Sequence, residues 1–235
     1  MMDELLPYSA RFYDARRAGS LSSAEIVLPI LFDLLLPSSV LDIGCGVGTW
    51  LAAAHKLGAT RLIGYDGPHV RPDMLVDHEI EFRSINLEHE EPKPERIDLA
   101  MSLECAEHVS QAAGFRIVKC LCQSADAVLF GAAIPGQGGK HHVNEQWQTY
   151  WIRLFADNGF DAYDVVRPVC WNDRRVEPWY AQNTLLYLKH GGRLALSAGD
   201  RVVIPDVVHP RLWENPSPKT VLRHLPRVWR RLAKL

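Results

Sequence analysis

Two hydrophobic rhythms alternate along this chain. Short apolar runs of four to eight residues are separated by stretches in which apolar residues recur every three or four positions. Residues 22–36, SSAEIVLPILFDLLL, open with a capping-box pattern from Ser22 to Glu25 and continue at helical spacing until Pro37. SVLDIG then reads as a short buried strand, and GTWLAAAHKLG as a helix closed by Gly58. RLIGYD, EFRSINLE and IDLAMSLE are further strands. A helix is expected from about 105 to 123, then the strand AVLFGAAI, then the amphipathic helix NEQWQTYWIRLFADNGF, capped by Asn144 and stopped at Gly159.

This alternation implies right-handed crossovers and a mostly parallel sheet covered on both faces. The end of the pattern differs. DAYDVVRPVCW and AQNTLLYLK read as two strands with no helix between them, joined by NDRRVEPWY, so they should pair antiparallel. The expected architecture is α/β: five βα units followed by a β-hairpin. N-terminal helices precede it, with a cap or lid over residues 1–37 of a domain spanning 1–190. Residues 191–235 read as a C-terminal extension that ends in a basic amphipathic helix carrying Arg223, Arg227, Arg230, Arg231 and Lys234. That helix could touch anionic membrane or nucleic acid, or pack on its own chain.

Composition narrows the function classes. In 235 residues, 26 basic and 28 acidic side chains nearly cancel, so no global nucleic-acid signature is present. Five cysteines without a CxxC pair argue against a disulfide framework or a zinc ribbon. No apolar stretch is expected to reach the roughly 20 residues that span a bilayer, and the N-terminus lacks a secretory pattern. A cytoplasmic protein is the expectation.

The segment VLDIGCGVGTWLAAAHKLGATRLIGYDG, residues 40–67, places Gly44, Gly46 and Gly48 between a strand and a helix, and Asp66 at the end of the next strand. Glycines let a backbone turn sharply and approach a ligand closely. A carboxylate at the second strand's end suits a ribose diol. No Lys-Ser/Thr follows the glycines, which disfavours a P-loop, and their spacing is wrong for the dinucleotide fingerprint of a dehydrogenase.

VLDIGCGVGTWL resembles the first motif of class I S-adenosylmethionine-dependent methyltransferases. Their fold is a seven-stranded, mostly parallel, doubly wound sheet ending in the antiparallel hairpin expected here, and the resemblance extends over roughly residues 38–189. It implies that Asp42, Gly44, Cys45, Gly46 and Gly48 surround the amino-acid end of S-adenosyl-L-methionine and that Asp66 binds its ribose. It also implies that Asn86 and Leu87 lie at the adenine, Asn86 standing where the family usually has an acidic residue.

SLECAEHV follows the fourth strand. Glu104, Glu107 and His108 are spaced i, i+3, i+4, which puts them on one face of the expected helix. His141 and His142 arrive at the end of the fifth strand, and the H-x-N-E-Q wording favours His142 for the cleft. Three chemistries fit: a divalent-metal site of Glu104, Glu107, His108 and His142 taking Mg, Mn or Zn; a histidine base held by a carboxylate; or a helix that merely packs. The set resembles the E-x-x-E-H…H pattern of 2′-O-methyltransferases acting on small-RNA 3′ ends, and a similar helix of ubiquinone-pathway O-methyltransferases. His108, His142 and Glu104 are the candidate catalytic residues.

The function expected is methyl transfer to a hydroxyl of a small molecule or of a sugar or natural product. An RNA 2′-O-methyltransferase and a non-catalytic cofactor-binding partner protein are the alternatives. A small-molecule substrate is the expected partner; nucleic acid and a homodimer mate stay open.

Overall fold

The computed structural model describes residues 10–192, 196 and 200–213. The basic segment of the C-terminal extension lies outside the described residues. The chain forms α1 (Ala10–Leu35), β1 (Ser39–Ile43), α2 (Thr49–Lys56), β2 (Arg61–Asp66), β3 (Ile80–Ser84), β4 (Leu99–Leu103) and α3 (Gln111–Ser124). These are followed by β5 (Ala127–Gly131), α4 (Gln148–Asp157), β6 (Phe160–Tyr163), α5 (Arg167–Cys170), α6 (Pro178–Asn183), β7 (Leu185–Lys189) and α7 (Pro210–Trp213).

The strands make one seven-stranded sheet in the order β3-β2-β1-β4-β5-β7-β6. The first five are parallel, and β7 runs antiparallel to both β5 and β6. Side chains of successive strand residues point to opposite faces, and the core follows that alternation. Val40, Met101, Leu129 and Leu186 join a cluster under α1, α2 and α6, whereas Leu41, Ala100, Phe130 and Tyr187 join one under α3 and α4. Chain order reverses between β1 and β4, and the crevice beyond the carboxyl ends of these strands is where such sheets bind ligands.

Several elements depart from the expectations. α1 is continuous through the anticipated start at Ser22: the Ser23 hydroxyl donates back to the Gly19 carbonyl at 2.7 Å, and Ser22 donates to the Arg175 carbonyl, so neither caps a helix. Continuity also makes Arg17–Leu35 long and apolar enough, by length and composition, to cross a membrane, contrary to the expectation. Its Ala24, Val27, Leu28 and Leu31 are fully buried against the sheet and α2, as in a core helix.

The helix expected over 105–123 is divided. A 3-10 turn, Ala106–His108, precedes extended Val109, and α3 begins after Ser110, whose hydroxyl accepts from the Ala113 N–H. Asn144 does not cap α4, which starts at Gln148; it is buried, donating its amide to the Ala106 carbonyl. β6 and β7 pair as expected, but α5 and α6 lie between them. β2 and β3 are joined by a 3-10 turn, Pro72–Met74, and no helix separates β3 from β4, so two of the five expected crossovers lack an α-helix.

Residues 200–213 are strapped across the β6 end of the domain rather than trailing from it. Buried Arg167 pairs with Asp164 and donates to the carbonyls of Ile204 and Pro205. Arg201 pairs with Asp161, and Gln148 donates to the Val207 carbonyl.

Because α1 is a core element rather than a detachable cap, Leu28→Ala should destabilise the protein by about 3 kcal/mol. Urea unfolding would measure this; a loss below about 1 kcal/mol would mean that α1 is not integral to the core.

Candidate functional site

The loop after β1 needs glycine at several points, for different reasons. Gly44, Gly46 and Gly48 have φ of 85°, 53° and 81°, values that favour glycine. A Cβ on Gly44 would lie 2.3 Å from Cys105 Sγ, so the loops after β1 and β4 touch there. A Cβ on Gly48 would lie 2.5 Å from Ile80 Cδ1. Gly48 therefore packs the start of α2 against β3 and does not line the cavity, although it was expected at the ligand. The loop is held down from β2: the N–H groups of Gly44 and Cys45 both donate to the Tyr65 carbonyl, at 2.8 and 3.1 Å.

Asp66 completes that anchorage. Its Oδ2 accepts from the Gly46 N–H and its Oδ1 from the Gly67 N–H, each at 2.6 Å, with His69 Nε2 3.2 Å from Oδ1. Two cavities open on either side of Gly44 and Gly46. The larger, about 470 Å³, is walled by Asp66, His69, Asn86, Leu87, Glu104 and His108. The smaller, about 140 Å³, is walled by Arg17, Asp42, Cys45, Trp50 and Tyr180, again with Glu104. The candidate cofactor residues Asp42, Gly44, Cys45, Gly46, Asp66, Asn86 and Leu87 thus line one divided groove.

Arg17, Ser20 and His69 were not singled out from the sequence. The first two come from α1, far away in the chain; Ser20 bonds the Thr49 hydroxyl at 2.8 Å. The loop carrying Asn86 and Leu87 is fastened to α3. Arg116 donates to the Leu87 and Glu88 carbonyls, and the Glu88 carboxylate accepts from the Ser110 N–H at 2.8 Å. That last bond holds the Glu88 carboxyl below its ordinary range. Asn86 Oδ1 accepts from the Glu88 N–H, so this side chain shapes its own turn.

Asp42 is buried, and burial together with the Asp66 carboxylate raises its pKa to about 8. Burial also pushes the Cys45 and Cys105 thiols up, with Asp66 adding to both, so neither is a thiolate at neutral pH.

Beyond Glu104 a second acidic cluster begins. Glu107 is 1% exposed and its carboxylate has no side-chain hydrogen-bond partner among the described residues. Burial, then the charges of Glu104 and Glu145, hold its pKa well above the ordinary value. Glu107, His108 and His142 present ligand atoms within 4.8 Å of one another, and the two imidazoles meet edge to face at 4.8 Å. His142 Nδ1 lies 3.1 Å from Glu145 Oε1, while Glu145 Oε2 accepts from the Gly136 N–H. His142 is partly buried and His141 exposed.

Glu104 stands apart from that trio. It holds φ of +52°, and its carboxylate accepts from Gln137 Nε2 at 2.9 Å and Asn183 Nδ2 at 2.8 Å. Since these residues follow a 3-10 turn rather than one α-helical face, Glu104 and Glu107 point to different places. A buried, unpartnered carboxylate with two imidazoles is a donor set that fits a divalent cation of the borderline class.

Residues 13–125 match a family model described as a methyltransferase domain. No curated protein sequence matches the chain. Among solved structures, the magnesium protoporphyrin IX methyltransferase of Synechocystis PCC 6803 with bound SAM is 18% identical. The match covers 75% of this chain and 82% of that one, with a TM-score of 0.51. An O-methyltransferase family protein from Burkholderia thailandensis is 15% identical over 76% of this chain and 58% of its own, TM-score 0.58, so the match spans little more than half of that protein. The methyltransferase domain of bacterial CtHen1-C is 16% identical over 72% and 98% of the two chains, TM-score 0.52. At these identities the likeness establishes the fold.

The raised Asp42 pKa has a stability consequence with a definite sign. The unfolded carboxyl ionises near 3.8 and the folded one near 8, so the native state binds the extra proton between those values. Stability therefore falls as pH rises through that window, by up to about 6 kcal/mol, and Glu107 adds a slope of the same sign. Asp42→Asn should make the decline in thermal midpoint between pH 5 and 8 shallower. An unchanged decline would show that Asp42 is not buried as a neutral acid.

Proposed function

We propose that this chain, a class I S-adenosylmethionine-dependent methyltransferase by its fold and its matching domain, methylates a hydroxyl oxygen of a small molecule, or of a sugar or natural product. The observation that carries this reading is the convergence of Glu107, His108 and His142 beside the groove, with His108 on the groove wall itself.

In this reading the cofactor lies with its ribose at Asp66. Asp66 keeps lone pairs for the ribose hydroxyls while it anchors Gly46 and Gly67. Asn86 and Leu87 flank the adenine on the same wall. The smaller cavity takes the methionine end, with Arg17 suited to its carboxylate and Asp42 to its ammonium. An arriving ammonium favours the charged form of Asp42 and offsets the burial that keeps it protonated.

In methyl transfer the acceptor oxygen forms the new O–CH₃ bond as the S–CH₃ bond breaks, and its electron pair stays on sulfur, leaving a neutral thioether. The protein's part is to align the acceptor and to remove the hydroxyl proton. His142, oriented by Glu145, is the base of this scheme, and His108 packs against its ring. As an alternative to a histidine base, a divalent cation held by Glu107, His108 and His142 would lower the pKa of a bound hydroxyl. Glu104, fixed by two side-chain amides, borders both cavities and so sits between cofactor and acceptor.

Calorimetry tests the cofactor assignment: S-adenosylhomocysteine should bind and NAD should not, and Asp66→Asn should weaken S-adenosylhomocysteine at least about tenfold, the loss of a charge-assisted hydrogen-bond acceptor. NAD binding, or indifference to the substitution, would overturn it. For the second cluster, Mn²⁺ or Zn²⁺ should bind the wild-type protein and be lost from the His108→Ala/His142→Ala double variant, together with methyl transfer. Transfer that survives the double substitution would remove these histidines from the reaction.

A further inference from the structure

The strap leaves a space beneath it. Val208 and Leu212 of residues 200–213 face Ile134, Pro135 and Trp147 across a cleft of about 200 Å³. Its walls are mainly apolar, and Gln137 and Gln182 supply its polar groups. No charged side chain lines it among the described residues. Protein interiors leave few voids larger than a water molecule, and an apolar cavity of this order holds a benzene-sized ring.

The strap is not placed by filling this space. It is held by polar bonds around its rim. The His209 N–H donates to Gln182 Oε1 at 2.7 Å, and His209 Nε2 lies 2.7 Å from the Trp171 carbonyl. Thr149 donates its N–H to Asp206, and Arg211 donates to the Val176 carbonyl at 2.6 Å. A roof anchored at its edges over an apolar floor is a built site with a few convergent polar groups, the usual composition of a small-molecule pocket.

Its connection to the chemistry runs through buried amides. Gln182 is fully buried and donates to Gln137 Oε1 at 3.0 Å and to Asn183 Oδ1 at 2.8 Å. Gln137 and Asn183 in turn donate to the two oxygens of Glu104. Gln137 therefore has one side on the apolar cleft and its amide on the residue that borders the cofactor groove.

We infer that the cleft between Trp147, Ile134, Pro135 and the strap residues Val208 and Leu212 is an acceptor subsite for the uncharged, ring-sized apolar part of a hydroxyl-bearing small molecule. This rests on the methyltransferase reading above and adds the substrate class to it. An anionic polymer such as RNA has no counter-charge in this cleft, whose mainly apolar walls suit a neutral ring.

The probe is 2-naphthol, titrated by calorimetry into the full chain with and without saturating S-adenosylhomocysteine. Naphthalene-2-sulfonate serves as its anionic counterpart. Saturable 2-naphthol binding is expected, at least tenfold tighter than the sulfonate. Leu212→Trp, which fills the cleft, should weaken it at least tenfold and leave S-adenosylhomocysteine affinity within twofold. Val208→Trp, at a position 39% exposed and so tolerant of bulk, should weaken it in the same direction. Failure of 2-naphthol to bind, equal binding of the sulfonate, or indifference to both substitutions would overturn the subsite. Loss of S-adenosylhomocysteine binding in the unsubstituted chain would instead overturn the cofactor reading, which the arm without S-adenosylhomocysteine keeps separate.

Discussion

The functional edge of this protein hangs from the end of β2. Three consecutive backbone and side-chain groups there, the Tyr65 carbonyl and the two oxygens of Asp66, receive the N–H groups of Gly44, Cys45, Gly46 and Gly67. That anchorage bends the loop after β1 into three left-handed turns and presses Gly44 against Cys105 of the β4 loop. Cys45 is driven over Gly64, where a Cβ would be 2.7 Å from its sulfur. The groove is thus a consequence of backbone satisfaction at a topological switch point. Side chains of β1, β2 and β4 reach it because the loops joining them are held in register.

The second organising fact is electrostatic. Burial and the Asp66 charge raise the cost of ionising Asp42 on one side of Glu104, and burial with the charges of Glu104 and Glu145 does the same to Glu107 on the other. Buried carboxylates normally find a cation or hydrogen-bond donors. The Glu107 carboxylate has no side-chain hydrogen-bond partner among the described residues, and Asp42 is held neutral by its surroundings. A fold that accumulates unneutralised acid in two adjoining places is suited to cationic ligands. The proposed cofactor carries a sulfonium and an ammonium, and the proposed metal carries two charges. The electrostatic cost of burying these carboxylates and their suitability for cationic ligands have the same origin.

Much of this was legible in the sequence, because strands announce themselves through continuous burial. SVLDI, RLIGYD, LAMSL and AVLFG are buried on both faces, and their apolar runs are hard to misread. The connections were less legible. α5 and α6 sit in RPVC and PWYAQN, whose apolar residues mimic strands; Pro168 and Pro178 in their first turns were the overlooked signals, since proline suits a helix start. Ser110 likewise marked the true start of α3, but a cap reads clearly only when the break before it is noticed. Ser22 shows the reverse: a cap sequence is overridden when the helix on either side is paid for by burial against the sheet. Arg17, Gln137, Asn183 and Glu145 could not be found by spacing, because each meets the site through a long-range fold contact.

Glu104 is the residue whose meaning changed most. As sequence, it belongs with Glu107 and His108 at i, i+3, i+4, and a continuous helix would have pointed all three at one ion. The chain instead spends its first residue after β4 in the left-handed region and then turns in 3-10 geometry, which rotates Glu104 away from the trio. Its two oxygens are taken by Asn183 before β7 and Gln137 after β5. A carboxylate bound in this way by two neutral amides is fixed in position, apart from the trio that could hold a metal. Glu145 meanwhile occupies the place beside His142 that orients an imidazole. The four residues of the sequence motif therefore divide into two groups, a trio whose ligand atoms converge and a single carboxylate that borders both cavities. That division follows from one backbone conformation at residue 104, which no periodicity in the sequence encodes.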